Sequence, residues 1–198
     1  MRRGIIRERV ARILLNNPAG NLTGYRVAKM AEGAYPWLHE LLKKLEKEGA
    51  VKGTQVRDFR KLVDLWKEWR TPVSSREYML RKPLDVLSKT GLEYALTTYQ
   101  AENLVQRYLF VSRVDLYIRH EDQKKWHSLL TREGLVGKGN IRILMADEQV
   151  FYGASEREGF KIVSMPQLVV DLMSEGGVCV EAAEMLLEKM ERNVVPGL

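Results

Sequence analysis

The chain is poor in the residues that usually carry catalysis or crosslinks. Its 198 residues include one cysteine, Cys179, and three histidines, His39, His120 and His127. A lone cysteine excludes an intrachain disulfide and a cysteine-built zinc site. No histidine has the i, i+4 partner of a helical metal site. No apolar run approaches the roughly 18 residues needed to cross a bilayer. The basic start Met1-Arg2-Arg3-Gly4 leads into a segment broken by Arg7, Glu8, Arg9 and Arg12, so no secretory leader is expected and a cytoplasmic protein is. The glycines between Gly134 and Gly139 lack the spacing and the following Ser or Thr of a phosphate-cradling loop. They read as a turn into a strand at Ile141. The acidic pairs Asp147-Glu148 and Glu156/Glu158 read as solvated turns. No internal repeat or low-complexity tail is visible. No enzyme activity, cofactor or metal is expected.

What is present is a charge split. Residues 1–70 hold 16 Lys+Arg against 8 Asp+Glu, whereas the remaining 128 residues hold 16 against 18. A basic module is joined to a nearly neutral one. Ile5, Ile6, Val10, Ile13 and Leu14 mark one face of a first helix, with Arg2, Arg3, Arg7, Arg9 and Arg12 off that stripe. Pro18 and Gly20 end it. Thr23 suits the N-cap of a second helix carrying Tyr25, Val27, Ala28 and Met30. Pro36 suits the first turn of a third helix, in which Leu38, Leu41, Leu42 and Leu45 follow the spacing of a buried stripe. Its other side presents Trp37, Glu40, Lys43, Lys44 and Lys47. Two short strands around Gly53-Thr54 make a small hairpin, and Asp58 caps a fourth helix bearing Phe59, Leu62, Val63, Trp66 and Trp69. Helix, helix, helix, hairpin is the order of a winged helix, and a small basic domain of that order is most simply a DNA-binding head.

After a linker at Thr71–Ser75, residues 71–198 alternate short strands with helices. Strands are expected at 76–80, 94–96, 114–118, 141–145, 149–152 and 160–163. Helices are expected at 83–89, 98–108, 121–132, 166–173 and 181–190. The predicted fold class is therefore α+β: a winged helix-turn-helix over 1–70 and a mixed α/β domain over 71–198.

The segment LHELLKKLEKEGAV, Leu38–Val51, resembles the recognition helix and wing entry of winged-helix regulators. That resemblance places Tyr35, Pro36, Trp37, His39, Glu40 and Lys43 towards the major groove, beside Lys44, with Lys52, Gln55 and Arg57 on the wing. A more specific resemblance lies further on. Ile162-Val-Ser-Met-Pro166-Gln-Leu-Val-Val-Asp171-Leu172, then Gly176-Gly177 and Glu181-Ala-Ala-Glu184, is similar to the closing motif of the AbiEi family. That family comprises the antitoxins of type IV AbiE toxin–antitoxin systems and related regulators. Gly139-Asn140-x-Arg142-x-Leu144 matches its Gly-Asn strand opening, and Tyr94–Thr98 and Val114–Tyr117 fit its earlier segments. The chain departs from the family at Gly177-Val178-Cys179, where the usual turn is Gly-Arg-Gly.

The resemblance implies an autorepressor that binds double-stranded DNA at inverted repeats in its own promoter, as a homodimer or cooperatively. It also implies a cognate nucleotidyltransferase-like toxin as partner. The chain's own candidate DNA contacts are Tyr35, Trp37, His39, Lys43, Lys44, Lys52, Gln55 and Arg57. Two plainer readings stand beside this one. Lys43, Lys44 and Lys47 also fit a merely solvated helix face. A winged helix also serves as a protein-interaction module, which here would neutralise a partner toxin without binding DNA.

Overall fold

The computed structural model describes residues 2–194, with side chains from Gly4 to Asn193. They form an α+β protein that divides into two compact units. The first takes in the chain up to Thr71, then Met165–Ser174 and the stretch from Ala183 on. The second takes in Pro72–Ser164 and Glu175–Ala182. The boundary expected at residue 70 thus describes the first crossing only. The chain returns to the first unit twice near its end.

The first unit opens with α1 (Arg2–Asn16), α2 (Gly24–Met30) and α3 (Tyr35–Lys47). The strands β1 (Val51–Lys52) and β2 (Gln55–Val56) follow, then α4 (Phe59–Trp69). Thr23 caps α2 by accepting from the Arg26 amide, and Asp58 caps α4 by accepting from the Lys61 amide at 2.8 Å. Val10, Ile13 and Leu14 of α1, the four leucines of α3, and Phe59, Leu62, Val63 and Trp66 of α4 are buried together with Val27 and Ala28. Ile5 and Ile6 are half-buried.

Arg12 corrects the reading of α1. It is only 3% exposed rather than off the apolar stripe. Its guanidinium lies over the Trp66 ring, and its Nε donates to Gln167 at 2.9 Å. The partner comes from α8 (Met165–Glu175), which is buried from Pro166 to Met173. Gln167 also donates to Asp171, and Asp171 pairs with Arg70 at 2.6 Å. A helix buried all round satisfies its polar side chains through such partners.

The second unit is a seven-stranded mixed sheet with helices. Its strands are β3 (Ser74–Leu80), β4 (Tyr94–Thr97), β5 (Val114–Ile118), β6 (Gly134–Val136), β7 (Ile141–Met145), β8 (Ser155–Arg157) and β9 (Phe160–Ile162). Their order is β6-β3-β7-β5-β4-β9-β8. Only β5/β7 and β4/β9 pair in parallel. The helices α5 (Pro83–Lys89), α6 (Thr98–Val105) and α7 (Gln123–Glu133) connect the strands, and α9 (Val178–Val194) closes the described chain.

Ser74 and Ser75, expected in the linker, open β3, and Glu156, expected in a turn, lies in β8. Other expectations differ from the structure for identifiable reasons. The sequence suggests period-two alternation in β5, but all five residues are buried because the strand is central and covered on both faces. The strand expected at 149–152 is a 3₁₀ turn, Glu148–Phe151, in which the Val150 amide donates to Asp147. The helix expected to reach Tyr108 stops at Val105. There the buried Glu102 carboxylate accepts from the Tyr108 and Leu109 amides and turns the chain. Leu109 points inwards in place of Tyr108. Finally, the turn before Ile141 contains an extra edge strand, β6. A Cβ on Gly134 would sit 2.2 Å from the Met79 carbonyl oxygen, so the close pairing with β3 requires glycine.

Candidate nucleic-acid interface

The geometry of α3 follows from its stripe. With Leu38, Leu41, Leu42 and Leu45 turned inwards, Tyr35, His39, Lys43 and Lys44 are left exposed on the opposite side. Trp37 is half-buried, so it offers only part of its ring to solvent. Charge pairing divides the lysines. Lys43 lies 3.2 Å from Glu40, and Lys44 lies 3.8 Å from Glu48. Both pairs are exposed, where such contacts contribute little. Lys47 makes no ion pair among the described residues.

The hairpin is short and tethered. Val51 pairs with Val56 and Lys52 with Gln55. Gly53, at φ +59°, provides the left-handed backbone between them. The Thr54 hydroxyl is within 2.6 Å of the Leu22 carbonyl and 3.3 Å of the Gly20 carbonyl, and the Val56 amide donates to Pro18. These bonds fix the hairpin against the α1–α2 turn. Gln55 is half-buried, with its Cβ against Gly20. Lys52 and Arg57 are exposed and make no ion pair among the described residues.

Tyr25, on α2, is 69% exposed. Helix α2 has seven residues and buries only Val27 and Ala28. The Tyr25 ring lies 6.2 Å from Tyr35, and Tyr35 is stacked 6.0 Å from His39. Arg26 and Lys29 are exposed on the same helix. The sequence carried a signal for this: two small apolar residues suffice to seat so short a helix, leaving the tyrosine free.

Not all of the N-terminal positive charge lies on this face. Arg9 pairs with Glu32 at 2.7 Å, Arg7 lies over Trp69, and Arg12 and Arg70 hold α8. Arg60 pairs bidentately with Glu184.

A different constellation lies in the second unit. Asp115 is 0% exposed and accepts from both Arg113 (2.6 and 3.1 Å) and Arg142 (3.0 and 2.8 Å). The Thr98 hydroxyl also donates to it, from a backbone at φ +46° that a β-branched residue rarely adopts. Both arginines continue to Glu175, at 2.7 and 2.8 Å. Burial would raise the Glu175 carboxyl, but the two guanidiniums outweigh it and hold the group below its ordinary range. Two cations and two anions thus neutralise one another.

The remaining reactive types are in ordinary settings. Burial pushes the Cys179 thiol up, and it pushes the neighbouring Tyr99 hydroxyl up to about 12. His127 Nδ1 lies 2.9 Å from the Tyr78 hydroxyl. Among the described residues no three His, Cys, Asp or Glu side chains gather as a metal site, and no helix is long and apolar enough to cross a membrane.

No family model, no curated protein and no solved structure matches this chain.

Proposed function

We propose that the chain is a sequence-specific DNA-binding transcriptional regulator. In this reading α1–α3 and the β1–β2 hairpin act as a winged helix-turn-helix, with α3 entering the major groove. The observation that carries the reading is the exposed face of α3 beside the tethered hairpin. Lys47 on α3, Lys52 and Arg57 at the hairpin, and Arg26 and Lys29 on α2 are exposed and make no ion pair among the described residues. Phosphates would take up those cations and release counterions. Lys43 and Lys44 reach the duplex by exchanging an exposed carboxylate for a phosphate. Lys52 and Arg57 contact the backbone beside the groove. Tyr35, Trp37 and His39 sit nearest the base edges, and Gln55 serves mainly to seat the hairpin.

The resemblance to AbiEi antitoxins extends the proposal to autorepression at an inverted repeat, bound by a homodimer. A cognate toxin would be encoded beside the gene. A specific observation favours a protein partner as well. Phe110 is 90% exposed, and Tyr108 and Val178 of the same unit are also exposed apolar side chains. Exposed apolar groups that join into one contiguous patch form an interaction surface.

A gel-shift titration against the DNA upstream of the gene tests the reading. We expect binding whose affinity falls by about three powers of ten between about 50 and 200 mM salt, as for six or so phosphate contacts. Absence of binding at the lower salt would refute DNA binding and leave the toxin-neutralising reading in place.

A further inference from the structure

We infer that Tyr25, Tyr35 and His39 form the specificity edge of this surface, reading the methyl groups of thymine. The inference rests on the DNA-binding reading above and names what that surface discriminates. Three observations carry it. First, the rings form a continuous ladder, with centroids 6.2 and 6.0 Å apart and the second pair stacked. Second, the ladder stands in solvent: Tyr25 is 69% and Tyr35 44% exposed, and neither helix core needs these rings. Third, the helices that bear the rings also carry exposed cations: Arg26 and Lys29 follow Tyr25 on α2, and Lys43, paired with the exposed Glu40, lies one turn beyond His39 on α3. An occupant anionic at its periphery and apolar where the rings meet it fits that arrangement.

A duplex major groove has that pattern. Phosphates line its edges, and the thymine C5-methyl is its one apolar feature. Tyrosine and histidine rings present apolar faces with polar tips. They cover a methyl while a hydroxyl or ring nitrogen keeps a partner. Within this trio, Tyr25 is the new member. It brings α2, and not only α3, to the base edges.

The experiment compares two versions of the upstream fragment, copied with either thymidine or deoxyuridine triphosphate. The second fragment lacks every thymine methyl and keeps every phosphate and base pair. Gel-shift titrations use the full chain and the variant Tyr25→Ala/Tyr35→Ala, whose folding is checked by thermal melting. For the unaltered chain we expect affinity to fall about fourfold for each methyl covered, the value of one buried carbon. For the double variant, which keeps His39, we expect the preference to shrink to at most that of one covered methyl, about fourfold.

Failure to bind either fragment at low salt would overturn the DNA reading itself. Salt-dependent binding that is equal for both fragments in the unaltered chain would leave that reading intact and overturn methyl recognition. An equal preference for thymidine in the chain and in the double variant would place methyl recognition elsewhere, overturning the role of these tyrosines.

Discussion

Two sets of basic side chains in this molecule have opposite fates. Lys52 and Arg57, beside α3 in the first unit, are exposed and make no ion pair among the described residues. Arg113 and Arg142, in the second unit, are spent on Asp115 and Glu175. Residue type and count do not distinguish them. What does is the availability of carboxylates nearby: the hairpin supplies none, whereas the ends of β5 and α8 each supply one. Unneutralised cations in water cost the fold little and remain available to a partner. Cations in a buried network are part of the fold, and removing their anions leaves an uncompensated charge.

The sharpest way to break this comparison is Asp115→Ala. The change leaves two guanidiniums, each about a fifth exposed, sharing Glu175 as their remaining anion, and it removes the acceptor of Thr98. We expect a loss of about 3 kcal/mol, the lower end for breaking a buried pair because the arginines retain some water. Urea denaturation monitored by circular dichroism measures it. A loss within error of zero would show the network to be ornamental.

Next in size is Lys52→Ala combined with Arg57→Ala. Stability should not change, since neither side chain makes a hydrogen bond or ion pair among the described residues. The DNA salt slope should fall by about 1.8, with about tenfold weaker binding at moderate salt. An unchanged slope would remove the hairpin from the interface. A fall in melting temperature would show that these cations belong with the structural set.

The same contrast sets what the sequence made legible. The α3 stripe, the Thr23 and Asp58 caps and the Gly53-Thr54 turn are local patterns, and local patterns fix local structure. The solvent side of α3 follows directly from its leucines. Arg12 was not legible, because its burial depends on Trp66 and Gln167, the latter 155 residues away. The network around Asp115 was hidden for the same reason. Its members come from α6, β5, β7 and α8, and nothing in Val114–Ile118 alone shows that both faces of that strand are covered. The exposure of Tyr25 depends on how few residues the seven-residue α2 buries, which its sequence alone does not show. The return of most of α8, and of α9 from Ala183, to the first unit is likewise a long-range fact. The spacing of Leu168, Leu172, Leu186 and Leu187 fixes a buried face but not the element facing it.

The smallest effect concerns the pH dependence of stability. Glu93 is held below its ordinary range first by hydrogen bonds from Lys161 and Arg119, and Glu184 by its bond to Arg60. Glu175 shifts in the same direction because its arginines overcome burial. In each case the folded carboxyl is the stronger acid. It therefore stabilises the fold above the unfolded carboxyl value, about 4.3. That contribution is lost as pH falls from there through the lowered folded value. Melting temperature should be flat from neutral pH to about 5 and then decline. Glu93→Gln should lower the neutral plateau slightly and soften the acid decline, because a partly exposed pair is worth about 1 kcal/mol at most. An unaltered acid decline in that variant would assign it to Glu175 and Glu184. Among the described residues Lys52 and Arg57 pair with no carboxylate. Protonating the carboxylates therefore cannot free them further, and the double variant should show the same acid decline as the unaltered chain.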